Sequence, residues 1–148
     1  MVWRLCLERG AIALKPSQNE HVRLRLESAA IKNFEIRFET RTASAPDTKT
    51  YSDVDEERQI VGTRGGTLSV LRNQPRSVAG LAGKEIWISA SVPGETPTLR
   101  LTWHYPGAGG DATRPSVNVV GSAPRENQAE LERAWDFVLQ SLRPLPVR

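Results

Sequence analysis

Hydrophobic and polar residues alternate most regularly in the middle of the chain, in the stretch from Arg76 to Tyr105. In its first half Ile86 and Ile88 alternate with Glu85 and Trp87, as the two-residue period of a β-strand requires. A Pro/Gly-rich break follows, and leucines and aromatic residues then alternate with polar ones. Two such strands joined by a short loop predict a β-hairpin at the centre of a sheet, with Trp87 on its outward side.

Weaker alternation predicts further strands on both sides of this hairpin. They lie at 2–7, 11–14, 21–27, 34–39, 59–63, 67–72 and 117–120. The strands near Val2 and Val117 are expected at the edges of the sheet. Arginines on 21–27 and glutamates on 34–39 share one outer face, which predicts cross-strand ion pairs. Residues 42–58 lack apolar periodicity and are rich in small and acidic side chains, which predicts a long loop.

Near the C-terminus the hydrophobic period changes from two to between three and four. Leu131, Trp135 and Val138 follow the spacing of an amphipathic helix. Ser122 or Asn127 is a suitable start for it, and prolines 144 and 146 are expected to end it. We therefore predict an α+β fold in which one C-terminal helix packs on an antiparallel sheet, in a single domain of residues 1–148.

Composition and charge narrow the functional classes. With 148 residues, 39% of them hydrophobic and 25% charged, the chain is typical of a soluble globular domain, and no apolar run is long enough to span a membrane. The net charge of +3 would suit a nucleic-acid partner, but arginines alternate with acids and no aromatic–basic stacking motif occurs. The single cysteine, Cys6, forms no internal disulfide, and the first residues lack the apolar run of a secretory signal.

The chemistry of an enzyme is not visible. The two histidines, His21 and His104, have no Gly-x-Ser-x-Gly, HExxH or CxxC motif beside them. The acidic run around Asp53 lacks the ligand order and the glycine of a calcium loop. We predict no catalytic residue, no metal site and no cofactor, with His104 exposed on the outer face of its strand. A small hydrolase that uses His104 remains a minor hypothesis.

Several stretches, taken in order, resemble the C-terminal domain of type VI secretion lipase-immunity proteins, the Tli family. RSVAGLAGKEIW resembles that domain's R-x-V-A-G-x-x-G-x-E element, and LTWHYPG resembles its aromatic strand that ends in Pro-Gly. RPSVNVV resembles the following strand, LERAWDFVLQSLRPLP the closing helix, and LCLERGAIAL the opening strand and glycine. The resemblance covers almost the whole chain.

This resemblance singles out residues that match the family's motifs. They are Arg76, Gly80, Gly83 and Glu85 in the central element, and Trp135, Asp136, Ser141 and Arg143 in the helix. We expect scaffold roles for them: the two glycines permit a tight turn, Trp135 anchors the helix, and Arg76 pairs with Glu85 across the turn.

The family resemblance implies an immunity protein that binds and neutralises a secreted phospholipase or lipase by blocking its active site in the periplasm. Since no export signal is recognised, the cytoplasm stays open as an alternative. Tyrosine and tryptophan offer large contact area and a charged rim speeds encounter. The candidate partner-binding residues are accordingly Tyr51, Asp53, Asp55, Glu56 and Trp87. The alternative function is a non-catalytic structural or accessory module of the bacterial envelope, without a toxin partner.

Overall fold

The computed structural model describes residues 2–7, 10–14, 21–42, 54–111 and 113–145. These residues form nine β-strands and two α-helices, with a single 3-10 turn (Arg125–Asn127) before the second helix. The elements are β1 (Val2–Leu7), β2 (Gly10–Leu14), β3 (His21–Glu27), β4 (Glu35–Arg41), α1 (Val54–Thr63), β5 (Thr67–Val78), β6 (Leu81–Ser91), β7 (Thr98–Tyr105), β8 (Ser116–Pro124), α2 (Gln128–Ser141) and β9 (Leu142–Leu145).

Six strands form one antiparallel sheet in the order β3-β4-β8-β7-β6-β5, and three form a smaller sheet in the order β2-β1-β9. The α+β prediction is confirmed. Within the described part of the chain, neither helix is long and apolar enough to cross a membrane.

The predicted central hairpin is confirmed. Strands β6 and β7 pair from Lys84↔His104 to Ala90↔Thr98, and β7 pairs with β8 on its other side. A second hairpin joins β5 to β6 through Ala79 and Gly80, whose φ angles are 51° and 80°. Two consecutive positive φ angles suit the right-handed twist of the paired strands, and glycine adopts this conformation without a steric penalty.

The main core lies between α2 and one face of the large sheet. Leu99, Leu101 and Trp103 of β7 are at most 1% exposed, and Leu131 and Trp135 of α2 are fully buried against them. The sheet and helix come close together at Gly121, where an added Cβ would lie 3.2 Å from side-chain atoms of both Leu131 and Trp135. Strand β8 continues through Gly121 to Pro124, beyond the predicted range 117–120.

The outward orientation predicted for Trp87 is wrong. Trp87 pairs with Leu101 in the sheet, belongs to the core under α2 and is only 5% exposed. On the other face of β6, Ile86 and Ile88 are also buried, at 6% and 4% exposure. Because both faces of this strand are covered, its alternation carries no information about which side faces the helix.

The ends of the chain form the smaller sheet, which the sequence pattern did not separate from the larger one. Strand β1 pairs with β2 on one side and with β9 on the other, with Val2 opposite Leu145. Strands β1 and β8 are therefore central, and the predicted edge positions of Val2 and Val117 are wrong. The helix ends at Ser141, before the prolines, and Pro144 lies in β9, an edge strand that tolerates a missing N–H.

Helix α1 replaces the loop expected over 42–58 and the strand expected over 59–63, as far as the described residues extend. Its first turn carries Asp55, Glu56 and Glu57, whose negative charges favour the N-terminus of a helix. Arg58 forms an ion pair with Asp55, at 3.1 Å between Nη1 and Oδ1. No residue of α1 is buried, so the helix lacks the apolar stripe that reveals α2 in the sequence.

Candidate functional site

A fully buried carboxylate lies at the centre of the residues that the family resemblance singles out. Glu85 on β6 is 0% exposed and accepts three side-chain hydrogen bonds. Arg76 Nη1 donates to its Oε2 at 2.5 Å and Trp135 Nε1 donates to the same oxygen at 2.9 Å. Arg72 Nη1 donates to Oε1 at 3.1 Å. The pairing predicted between Arg76 and Glu85 is confirmed.

Arg76 extends this arrangement to four elements. Its Nη2 donates to Oδ1 of Asp136 on α2 at 2.9 Å, and its carbonyl oxygen accepts a hydrogen bond from Trp103 Nε1 at 2.8 Å. We call the set of Arg72, Arg76, Glu85, Trp135 and Asp136 the buried network. It joins β5, β6 and α2 directly, and β7 through Trp103.

Glu85 and Arg76, at the centre of the buried network, keep their charges at neutral pH. Burial raises the pKa of Glu85, but hydrogen bonds from Trp135, Arg76 and Arg72 outweigh it, so the pKa lies below its ordinary value. Burial lowers the pKa of Arg76, yet its bonds to Asp136 and Glu85 outweigh that and raise the pKa overall. The carboxylate and the guanidinium therefore stabilise one another in their ionised forms.

Gly83 acts by close packing and not by turning the chain, so its predicted place in the turn is wrong. It lies inside β6, where an added Cβ would be 2.5 Å from Cε2 of Trp103. The absence of a side chain lets the Trp103 indole lie flat against the strand and reach the carbonyl of Arg76. Gly80 does occupy the turn.

Ser141 and Arg143, the last two residues that match the family's helix motif, donate hydrogen bonds to carbonyl groups at the C-terminal end of α2. Ser141 Oγ donates to the carbonyl of Phe137 at 2.6 Å. Arg143 donates to the carbonyl of Leu142 at 3.0 Å and also to that of Gln140. A cation that binds the final carbonyls stabilises a helix C-terminus.

The buried network favours the scaffold role expected for these residues. Glu85 is sealed from solvent, so no substrate or partner reaches it in the folded state. Sequence reasoning missed Arg72, whose guanidinium also stacks 3.7 Å from the centre of the Trp87 ring. The available signal was its spacing of four residues from Arg76, which places both arginines on the same side of a strand.

The candidate partner-binding residues do not converge on one surface. Tyr51 and Asp53 lie outside the described residues. Asp55 and Glu56 are adjacent and exposed in the first turn of α1, with the Asp55 side chain 91% exposed. Trp87 is buried on the opposite face of the sheet and has no free ring surface to offer a partner.

His104 is buried, at 7% exposure, so its predicted exposed position is wrong. It lies on β7 between Lys84 and Asn118, on the sheet face away from α2. Among the residues that the structure describes, no group of three or more His, Cys, Asp and Glu side chains is placed to hold a metal ion.

A cavity of about 530 Å³ lies between α1 and the sheet face away from α2. Its apolar wall comes from Ile60 and Val61 of α1 and from Ile88, Ala90, Val92 and Leu99. Its charged lining comes from Arg37, Glu57, Arg64, Glu95 and Arg100. Glu57 pairs with Arg100, and Arg64 pairs with Glu95. Sequence reasoning did not find this cavity because α1 was not predicted.

The predicted ion pairs between the outer strands are confirmed. Arg25 Nη2 lies 2.6 Å from Oε2 of Glu35, and Arg23 Nε lies 3.5 Å from Oε2 of Glu39. The arginines are more than half exposed, so each pair adds only a few tenths of a kcal/mol, on the order of 0.2–1. This surface is a solvated charged face and not a concentrated cationic patch.

Comparison with known proteins gives a match over nearly the whole chain. The family described as the Tle cognate immunity protein 4 C-terminal domain matches residues 5–147. A comparison with curated protein sequences found no match.

Solved structures share the fold at low sequence identity. One is the apo structure of immunity protein TplEi of T6SS from Pseudomonas aeruginosa, with 18% identity, a TM-score of 0.71, and coverage of 97% of this chain and 50% of that chain. The crystal structure of the Tle4-Tli4 complex matches with 18% identity, a TM-score of 0.69, and coverage of 97% and 51%. TplEi complexed with "L" peptide matches with 19% identity, a TM-score of 0.67, and coverage of 96% and 54%. The chain spans about half the length of these relatives.

Proposed function

The chain belongs to the family of Tle cognate immunity protein 4 C-terminal domains, and we propose that it binds a type VI secreted phospholipase and blocks its active site. The observation that carries the proposal is the family match across residues 5–147. One of the similar structures is that of a Tle4-Tli4 complex, which supports a protein partner of this kind. The family is one of immunity proteins and not of enzymes.

The exposed start of α1 is the surface that suits this role best. Asp55 and Glu56 place negative charge at its first turn, and Ile60 follows with 54% of its surface exposed. An apolar anchor beside a charged rim is a common composition of protein interfaces, in which the rim sets the association rate. We also propose that Tyr51 and Asp53, which precede α1 in the sequence, belong to this surface.

The periplasm is the proposed compartment, because a lipase delivered against membrane phospholipids is best intercepted there. A protein with this task needs a rigid support and a few buried contacts with the enzyme, and no catalytic residue. The buried network supplies the rigidity by fixing α2 to the sheet.

The test is purification of the chain together with the phospholipase encoded beside it, followed by a phospholipase assay. We expect a stable complex in which the enzyme loses activity in proportion to bound inhibitor. Substrate analogues that fill the active site should compete with the chain if it blocks that site. A complex that leaves the enzyme active would refute active-site blocking, and no complex would favour the accessory-module alternative.

Paired charge reversals locate the interface. D55K/E56K should slow association severalfold at low ionic strength and lose that effect in high salt. The matched control is E126K, a reversal on the exposed turn before α2, which should leave the association rate unchanged. Equal effects of both variants would show a non-specific response to net charge.

A further inference from the structure

The cavity under α1 has two chemically different ends. One end is mainly apolar, formed by Ile88 and Ala90 of β6, Val92 of the following turn and Val61 of α1. The ion pair between Arg64 and Glu95 lies beside Val61 and Val92 at this end. Its volume of about 530 Å³ lies within the roughly 300–1,000 Å³ typical of small-molecule sites. The apolar end is thus large enough for a flexible hydrocarbon chain.

The other end carries two arginines, each with a carboxylate beside it. Arg37 of β4 and Arg100 of β7 lie on the same face of the sheet, and both line the cavity. Burial lowers the pKa of Arg100, and the positive charge of Arg37 lowers it further. The Arg37 side chain is 56% exposed and that of Arg100 is 32% exposed, so an incoming anion can reach both guanidinium groups.

A second, polar cavity of about 120 Å³ shares both arginines. Glu39, Thr102 and Asn118 line it, and Asn118 Oδ1 is buried without a hydrogen-bond partner among the described residues. This space is large enough for ordered water, which accompanies a charged headgroup and satisfies the amide oxygen. The arginines therefore stand at the junction of an apolar and a polar compartment.

The charges around the junction suit an anion with one negative charge. Glu57 of α1 pairs with Arg100, and Oε1 of Glu35 lies 3.2 Å from Nε of Arg37. Glu35 is shared with Arg25, and Glu39 also lines the polar cavity. Together these carboxylates offset most of the positive charge, which disfavours a doubly charged phosphate. A single carboxylate, in contrast, replaces Glu57 on Arg100 without changing the net charge at that position.

We propose that the cavity under α1 binds a single-chain carboxylate amphiphile, a fatty acid, with its carboxylate on Arg37 and Arg100 and its chain along β6. The ligand's carboxylate takes the place of Glu57 on Arg100. The Glu57–Arg100 ion pair joins the first turn of α1 to β7, so ligand binding breaks one contact between that end of the helix and the sheet. This inference does not depend on the proposed function, and the phospholipase assay above does not test it.

The experiment is calorimetric titration of the whole chain with monomeric laurate, dodecanol and dodecyltrimethylammonium. Laurate should bind at least about tenfold more tightly than the other two, which share its chain but not its charge. Affinity should rise about fourfold for each added methylene from octanoate to laurate, as expected when the chain is buried. Equal binding of all three amphiphiles, or no binding of laurate, would overturn the proposal.

Three variants separate this site from general adsorption. R100M should weaken laurate binding about tenfold or more and leave dodecanol unchanged. E57Q removes the competing carboxylate and should tighten laurate binding, whereas a merely structural role of Glu57 would make E57Q weaken it. A90F should abolish binding by filling the apolar end. The control R133M, on the exposed face of α2, should bind like the parent chain.

Discussion

The buried network makes a quantitative prediction about Glu85. The change E85Q preserves the shape of the side chain and removes its charge. In E85Q the amide oxygen can still accept hydrogen bonds from Arg76 and Trp135. The amide NH₂ group then faces the guanidinium of Arg72, and because both groups are hydrogen-bond donors, Arg72 must turn away. Two charge-assisted hydrogen bonds become neutral or are lost, and Arg76 retains only Asp136 as an anionic partner.

The expected loss in the free energy of unfolding depends on how far each partner of Glu85 is exposed to solvent. Hydrogen bonds to charged groups contribute roughly 1.5–3 kcal/mol each, and breaking a buried ion pair costs about 3–5 kcal/mol. The Arg72 and Arg76 side chains are 38% and 22% exposed and recover part of that loss through hydration. We therefore expect E85Q to lower the free energy of unfolding by about 3 kcal/mol, and Tm by about 6–12 °C.

The assay is urea unfolding monitored by tryptophan fluorescence, since Trp87, Trp103 and Trp135 all lie in the core. The matched control is D136N, which acts on the same arginine through a carboxylate that is 50% exposed. It should cost about 1 kcal/mol or less. If E85Q destabilises the protein no more than D136N, the buried network is not what holds α2 to the sheet.

Three further predictions follow from single positions. G83A should destabilise the fold by about 2 kcal/mol or more, because its methyl group would overlap the Trp103 indole, whereas G62A on the open side of α1 should stabilise it by about 0.5–1 kcal/mol. The pKa of Asp111 lies at about 2 because of hydrogen bonds from Thr113 and then Arg114, so T113V should raise that pKa towards its ordinary value in an NMR titration. Folding lowers the pKa of Glu85, so the ionised carboxylate contributes its full stabilisation above its ordinary pKa of 4.5, and this contribution is lost as the pH falls below that value. In unfolding experiments at stepwise lower pH, the free energy of unfolding should therefore fall less steeply in E85Q than in the parent chain.

Each of these predictions has a clear contrary result. A G83A variant as stable as G62A would mean that Trp103 has room to move. An unchanged Asp111 pKa in T113V would assign the shift to Arg114 and the backbone N–H of residue 113. If the free energy of unfolding fell equally steeply with decreasing pH in E85Q and in the parent chain, a carboxylate other than Glu85 would be responsible for the acid sensitivity.

The sequence predicted those parts of the fold in which one face is apolar and the other polar. The central hairpin and α2 belong to this class, and the pairing of Arg76 with Glu85 could be inferred because a short turn brings the two residues together. The orientation of Trp87 could not be inferred from the sequence, because Ile86 and Ile88 on the other face of the strand are buried as well. A strand that is covered on both sides has no polar face to set its orientation.

Helix α1 and strand β9 show a second limit. Helix α1 buries none of its residues, and the ion pair between Glu57 and Arg100 of β7 ties it to a strand distant in sequence. Strand β9 contains Pro144 and exists because β1 supplies its partner. Both elements depend on tertiary contacts more than on local preference, so a pattern read along the chain does not show them.

The pairing of β1 with β9 has a consequence for the order of folding. Val2 and Leu145 stand near opposite ends of the sequence, so their contact closes the longest loop that the described residues contain. Loop closure of this kind is entropically unfavourable until the intervening chain has become compact. We therefore expect the small sheet to form after the large one and to open before it, so that backbone amides of β1 and β9 exchange with solvent sooner than those of β7 and β8.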